Sequence, residues 1–102
     1  MSVLMTLRLP LDADNLERAV AQDRDAFLQI AENAKEHGCI HHSFYGGDGE
    51  VIAVDEWETP EAFQSFWDGQ GETIGRLMAN AGIQGQPAPP SFHQKLALGD
   101  EF

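Results

Sequence analysis

Positive charge is scarce in this chain. Six Lys and Arg stand against seventeen Asp and Glu, a formal net charge of −11 over 102 residues. Such a surface holds neither a phosphate backbone nor an anionic membrane, since both demand clustered basic side chains. Cysteine is scarcer still: Cys39 stands alone, so no internal disulfide can form. No apolar run of signal-peptide or membrane-spanning length lies near Met1. These absences point to a soluble protein of the reducing cytoplasm, with no nucleic acid or membrane as partner. The length suits a single domain, residues 1–102.

What is present is most legible in the middle, where VIAVDEWETPEAFQSFW reads as a buried strand running into a capped amphipathic helix. Val51 to Val54 is short, apolar and largely β-branched, and Thr59-Pro60 supplies an N-cap hydroxyl followed by proline at the first helical position. Upstream, residues 3–9 alternate with period two and Pro10 closes them as a first strand. Asp14 to Glu17 fits a capping box, and Leu16, Val20, Phe27, Ile30, Ala31 and Ala34 continue at helical spacing. The pattern predicts one long helix ending at Gly38. Residues 39–45 form a second strand, turned back by Gly46 to Gly49 into the third.

In the following helix Gly69 and Gly71 predict a break, with one piece ending near Asp68, another over residues 72–81, and a pocket at the break. A Gly/Pro-rich connection over residues 84–90 precedes a last strand over 92–98. The order is βαββαβ. Right-handed crossovers then predict a four-stranded antiparallel sheet with both helices on one face, and strands 1 and 3 central and parallel to each other. The other face would carry Leu4, Ile52 and Val54 uncovered, which calls for the same face of a second copy, a homodimer.

With the hairpin closed at residues 46–49, Ile40, His42 and Phe44 pair across to Val51, Ala53, Asp55 and Trp57 on the helix-facing side. His42 and Asp55 are expected diagonally near each other in an apolar layer. There a carboxylate can hold an imidazole in one tautomer and tune it as a base. Such a base could deprotonate a phenol-like substrate, leaving it electron-rich enough to react with oxygen directly. A hydrogen-bonded structural histidine fits the same pattern, and a one-residue slip sends His42 to the other face. Phe44, Phe66 and Trp67, with Trp57 in the same layer, are candidate substrate-binding residues forming an aromatic wall; the same residues also serve a plain helix core. Arg8 and Glu56 fall at corresponding positions on the opposite face, with His41, Tyr45, His93 and Lys95, as an ion-paired interface. Adjacent His41 and His42 point to opposite faces and cannot close one metal site, so no metal is expected. Cys39 has no electropositive neighbour in sequence and reads as a small buried residue rather than a nucleophile. The glycines at 46–49 close a hairpin and open no phosphate-binding helix.

The segments GCIHHSFY and DEWETPEAFQSF, through Gly38-Cys39, Glu56-Trp57 and Glu61-Ala62-Phe63, resemble the antibiotic biosynthesis monooxygenase family. That resemblance implies a ferredoxin-like α+β domain pairing into a dimeric α+β barrel. It also leaves three outcomes open: a cofactor-independent oxygenase of aromatic or polyketide-like metabolites, a haem-degrading enzyme, or a member without known activity. The family's frequent histidine on the second helix is replaced here by Phe66, with Trp67 beside it. The haem-ligating histidine of the haem-degrading branch would fall at Arg76 or Leu77, and residues 3–9 lack that branch's asparagine. Haem degradation is thereby disfavoured. The leading expectation is a monooxygenase needing no cofactor, with His42 and Asp55 as its catalytic pair; the alternative is a non-catalytic ligand-binding or scaffolding homodimer.

Overall fold

The structure is a computed structural model that describes residues 1–83 and 87–102. Its elements are β1 (Val3–Leu9), α1 (Ala13–Gln22), α2 (Arg24–Glu36), β2 (Cys39–Gly47), β3 (Glu50–Trp57), α3 (Pro60–Asn80) and β4 (Ser91–His93). The strands form a four-stranded sheet in the order β2-β3-β1-β4, with every neighbouring pair antiparallel. The sheet is therefore the expected antiparallel, ferredoxin-like one with helices on one face. The two central strands are antiparallel to each other, not parallel. The helical crossover from β1 to β2 makes those two strands parallel, and β3, hairpin-bonded to β2, inserts between them running the other way.

Other expectations change as well. The long first helix is two, divided at Asp23, whose φ of −142° and ψ of 52° lie outside the helical region. Asp23 is exposed and a poor helix former, so no packing holds it in helical geometry. The division serves the core. Leu16 and Ala19 of α1 pack into a cluster with Leu9, Leu11, Val51 and Leu77, whereas Ala34 of α2 joins Val3, Met5, Trp57, Phe63 and Phe66. At the start of α1 the N-cap is Asp12, with no side-chain cap bond, rather than Asp14. α3, by contrast, runs unbroken through Gly69 and Gly71. A glycine costs a helix only about 1 kcal/mol, which the buried contacts of Phe63, Phe66, Leu77 and Met78 outweigh. Its start is as expected: Thr59 Oγ1 accepts from the Ala62 amide at 3.0 Å, with Pro60 at the first turn.

The last strand is short. Only Ser91, Phe92 and His93 pair with β1, opposite Thr6, Met5 and Leu4, and this register carries Lys95 and the residues after it past the start of β1. Leu96 and Leu98 are accordingly exposed. Of the connection expected over residues 84–90, positions 84–86 lie outside the described residues.

Register fixes the faces. Val51, Ala53, Asp55 and Trp57 of β3 are all buried on the helix side, while Ile52, Val54 and Glu56 alternate onto the other face. Leu4, at 45% exposure, shares that outer face and is paired with Glu56. Arg8 and Glu56 are not partners: the Arg8 guanidinium donates to Glu50 at 2.7 Å, and Glu56 accepts from the Ser2 hydroxyl. That too follows from the antiparallel register, which sets Arg8 opposite Ile52. No helix among the described residues is long and apolar enough to cross a membrane.

Candidate functional site

The hairpin brings the two predicted residues together more directly than expected. His42 stands opposite Asp55 in the β2–β3 ladder, not diagonal to it, and its Nδ1 lies 2.6 Å from Asp55 Oδ1. A β-bulge between Cys39 and His41 completes the arrangement. Strict alternation would set Ile40 against Trp57; the extra residue sets Cys39 there instead and leaves Ile40 at 48% exposure. A small thiol thus replaces a branched side chain beside Asp55.

Asp55 is the one buried polar or charged residue among the described residues, at 6% exposure. A buried carboxylate is costly unless donors satisfy it. Two do: His42 Nδ1 at Oδ1, and the Trp57 indole N–H, which donates to Oδ2 at 3.0 Å. An ionised carboxylate only accepts, so a neutral His42 hydrogen-bonded to it carries its proton on Nδ1 and leaves the Nε2 lone pair free. The imidazole is held from its other side by Phe44, edge-on at a centroid distance of 4.7 Å, and Phe44 in turn contacts Phe27. The His42 side chain keeps 37% exposure while that of Asp55 keeps 8%, so the dyad has one dry end and one open end.

That open end borders a cavity of about 660 Å³ between helices and sheet. It lies on the seam between the two core clusters, where Leu7, Ile30 and Ile74 belong to both and are only partly buried. All six residues singled out from the sequence line it: His42, Asp55, Phe44, Trp57, Phe66 and Trp67. Their roles differ. Trp57 and Phe66 are nearly inaccessible, at 1% and 6%, and act as core that also walls the cavity, whereas Phe44 and Trp67 are partly exposed. Phe63, absent from the predicted set, stacks on Trp67 at 5.9 Å and 28°. Phe27 is absent from that set as well. The i, i+4 spacing of Phe63 and Trp67 is the available signal for the first; for Phe27, only the fold shows that α2 reaches the hairpin.

Cys39 is half-buried rather than fully buried, and its thiol donates to the His41 carbonyl at 3.2 Å. Burial, reinforced by the negative charge of Asp55, pushes its pKa up to about 11 against an ordinary 9.0, so it stays an inert thiol near neutrality. No group of three or more His, Cys, Asp or Glu able to hold a metal ion occurs among the described residues. The break expected at Gly71 does not occur, yet Gly71 does border the cavity.

No protein-family model matches the chain, and neither does any curated protein sequence. Solved structures do. A monooxygenase of Streptomyces coelicolor, from the gene ActVA-Orf6 and in complex with the ligand nanaomycin D, superposes with a TM-score of 0.70 at 17% identity, covering 98% of this chain and 93% of that one. A dimeric ferredoxin-like protein from an uncultured marine organism gives 0.68 at 13% identity, covering 99% and 90%. MupZ of Pseudomonas fluorescens gives 0.57 at 11% identity over 80% of this chain, which spans 62% of that protein's length. At such identities the likeness is one of architecture, and on it this chain has the ferredoxin-like α+β fold found in antibiotic biosynthesis monooxygenases.

Proposed function

We propose that the protein is a monooxygenase needing no cofactor, acting on a small aromatic or polyketide-like metabolite held in the helix-side cavity. The observation that carries this reading is the His42–Asp55–Trp57 chain of hydrogen bonds opening into an otherwise largely apolar space of about 660 Å³. Pockets of this size suit multi-ring ligands, with a few polar groups setting orientation. His42 Nε2 takes a proton from a phenolic or activated methylene group, and Asp55 stabilises the imidazolium that results. The apolar walls leave the substrate anion poorly solvated and thus a strong electron donor to dioxygen. For an activated methylene the reaction balances as one methylene and one dioxygen giving one carbonyl and one water. Both methylene hydrogens leave in the water, and the substrate itself supplies the two electrons that reduce the second oxygen atom.

The architectural likeness to a monooxygenase supports the same reading. Trp67 lines the cavity rather than filling it, which supports a ligand site, whether that of an enzyme or of the alternative non-catalytic ligand-binding dimer. A homodimer across the face of Leu4, Ile52 and Val54 belongs to the proposal, in keeping with the dimeric neighbour. The test is oxygen uptake with anthrone, a tricyclic compound bearing one activated methylene. Uptake above the buffer rate, with one dioxygen consumed per anthrone converted to the quinone, is expected; uptake at the buffer rate with the probe bound favours a non-catalytic binding protein.

A further inference from the structure

The cavity has a wall built from almost nothing. Phe63, Trp67, Gly71 and Gly75 follow one another at i, i+4 along α3, and all four line the cavity. Residues at that spacing share a helix face. The stripe therefore starts with two stacked aromatic rings and continues with two positions that have no side chain. Neither glycine is needed by the backbone, since neither has the positive φ seen at Gly38 and Gly49. Neither is needed for close packing with the rest of the core. A methyl group at Gly71 would meet the Trp67 indole in ordinary contact at 3.4 Å, and one at Gly75 would meet nothing within 4 Å. Glycine is the poorest helix former after proline, so two of them in an unbroken helix weaken it for no local reason.

We propose that Gly71 and Gly75 set the length of ligand the site accepts, keeping open the space beyond Trp67 for the third and later rings of a fused aromatic system. The proposal rests on the cavity being the ligand site. Gly69 supplies an internal control: it sits on the same helix, and a methyl group added there would also meet nothing within 4 Å, but it lies outside the cavity lining. Helix propensity gains from replacing any of the three, whereas cavity length is lost at Gly71 and Gly75 alone.

The experiment compares Gly75→Leu with Gly69→Leu by fluorescence titration with 2-naphthol, which has two rings, and 1-hydroxypyrene, which has four. Gly75→Leu should weaken 1-hydroxypyrene by about tenfold or more, as overfilling a packed site does, and leave 2-naphthol within about threefold. Gly69→Leu should change neither, with a thermal midpoint at or above that of the unaltered protein. Should Gly75→Leu misfold, Gly75→Ala, whose added methyl meets nothing within 4 Å, should still weaken the larger phenol more than the smaller one. Unchanged binding of 1-hydroxypyrene at Gly75, or an equal loss at Gly69, overturns the proposal. Binding of neither phenol by the unaltered protein overturns it together with the ligand-site reading. Binding of both without anthrone turnover overturns only the catalytic reading.

Discussion

The indole N–H of Trp57 donates to Asp55 two residues earlier on the same face of β3, leaving the other carboxylate oxygen for His42. The carboxylate is thus fixed by a residue that is itself locked, because Trp57 is 1% exposed and wedged against Phe63 and Phe66. Asp55→Asn offers one acceptor and one donor where the carboxylate offers two acceptors, so with the amide oxygen on the Trp57 N–H the amide nitrogen faces His42 Nδ1, which must move its proton to Nε2 in order to accept. The expected cost is about 1 kcal/mol, the difference between charge-assisted and neutral hydrogen bonds, read by urea unfolding. Nitrogen-15 shifts of the His42 ring should at the same time lose the pattern of a single Nδ1–H tautomer. An unchanged stability and tautomer would show that Asp55 does not hold the imidazole.

Cys39 gives a prediction in pH. Its pKa is raised from 9.0 to about 11 in the folded chain, so between those values the folded state binds more protons than the unfolded one. The thiol's contribution is then complete below pH 9 and is lost as pH rises toward 11. Cys39→Ala should flatten the fall in stability over that range, and alkylation by iodoacetamide at pH 8 should be much slower than for a free thiol. Rapid alkylation of the native protein would contradict the burial of this thiol.

Much of this is legible in the residues. The period-two run of β1, the hairpin glycines and the Thr59-Pro60 cap each carry a strong local signal, and together they order the elements correctly. The nearness of His42 and Asp55 on the helix side is also legible from the hairpin, though as a diagonal pair rather than the directly opposed one found. Tertiary terms account for the rest. Whether Gly69 and Gly71 break α3 depends on how well Phe63, Phe66, Leu77 and Met78 bury, and the length of β4 depends on where β1 starts beside it. The bulge at Ile40 leaves no mark in the alternation, so the residues alone do not place Cys39 beside Trp57. The volume of the cavity is likewise a sum over side chains from every layer, which no single segment encodes.

The outer sheet face gives a third prediction. Leu4 is 45% exposed there, with Ile52 and Val54 half-buried beside it. Light scattering should report twice the 11.2 kDa chain mass at micromolar concentration. Val54→Asp, which sets an unpaired charge in the middle of that face, should shift the mass toward one chain. A stable, well-folded monomer for the unaltered protein would refute the assignment of this face.

The most direct measurement is the rate of anthrone oxidation by His42→Ala against the unaltered protein, at equal occupancy of the cavity by the probe. His42 makes one hydrogen bond through a side chain that is 37% exposed, and its removal leaves the buried Asp55 Oδ1 without that donor, at an expected cost of about 1 to 3 kcal/mol, while loss of a general base lowers the rate by about 100 to 10,000-fold. The expected result is that rate loss in a variant that still folds and binds the probe with nearly unchanged affinity. An undiminished rate in folded His42→Ala would make His42 a structural residue and remove the base from the proposed reaction.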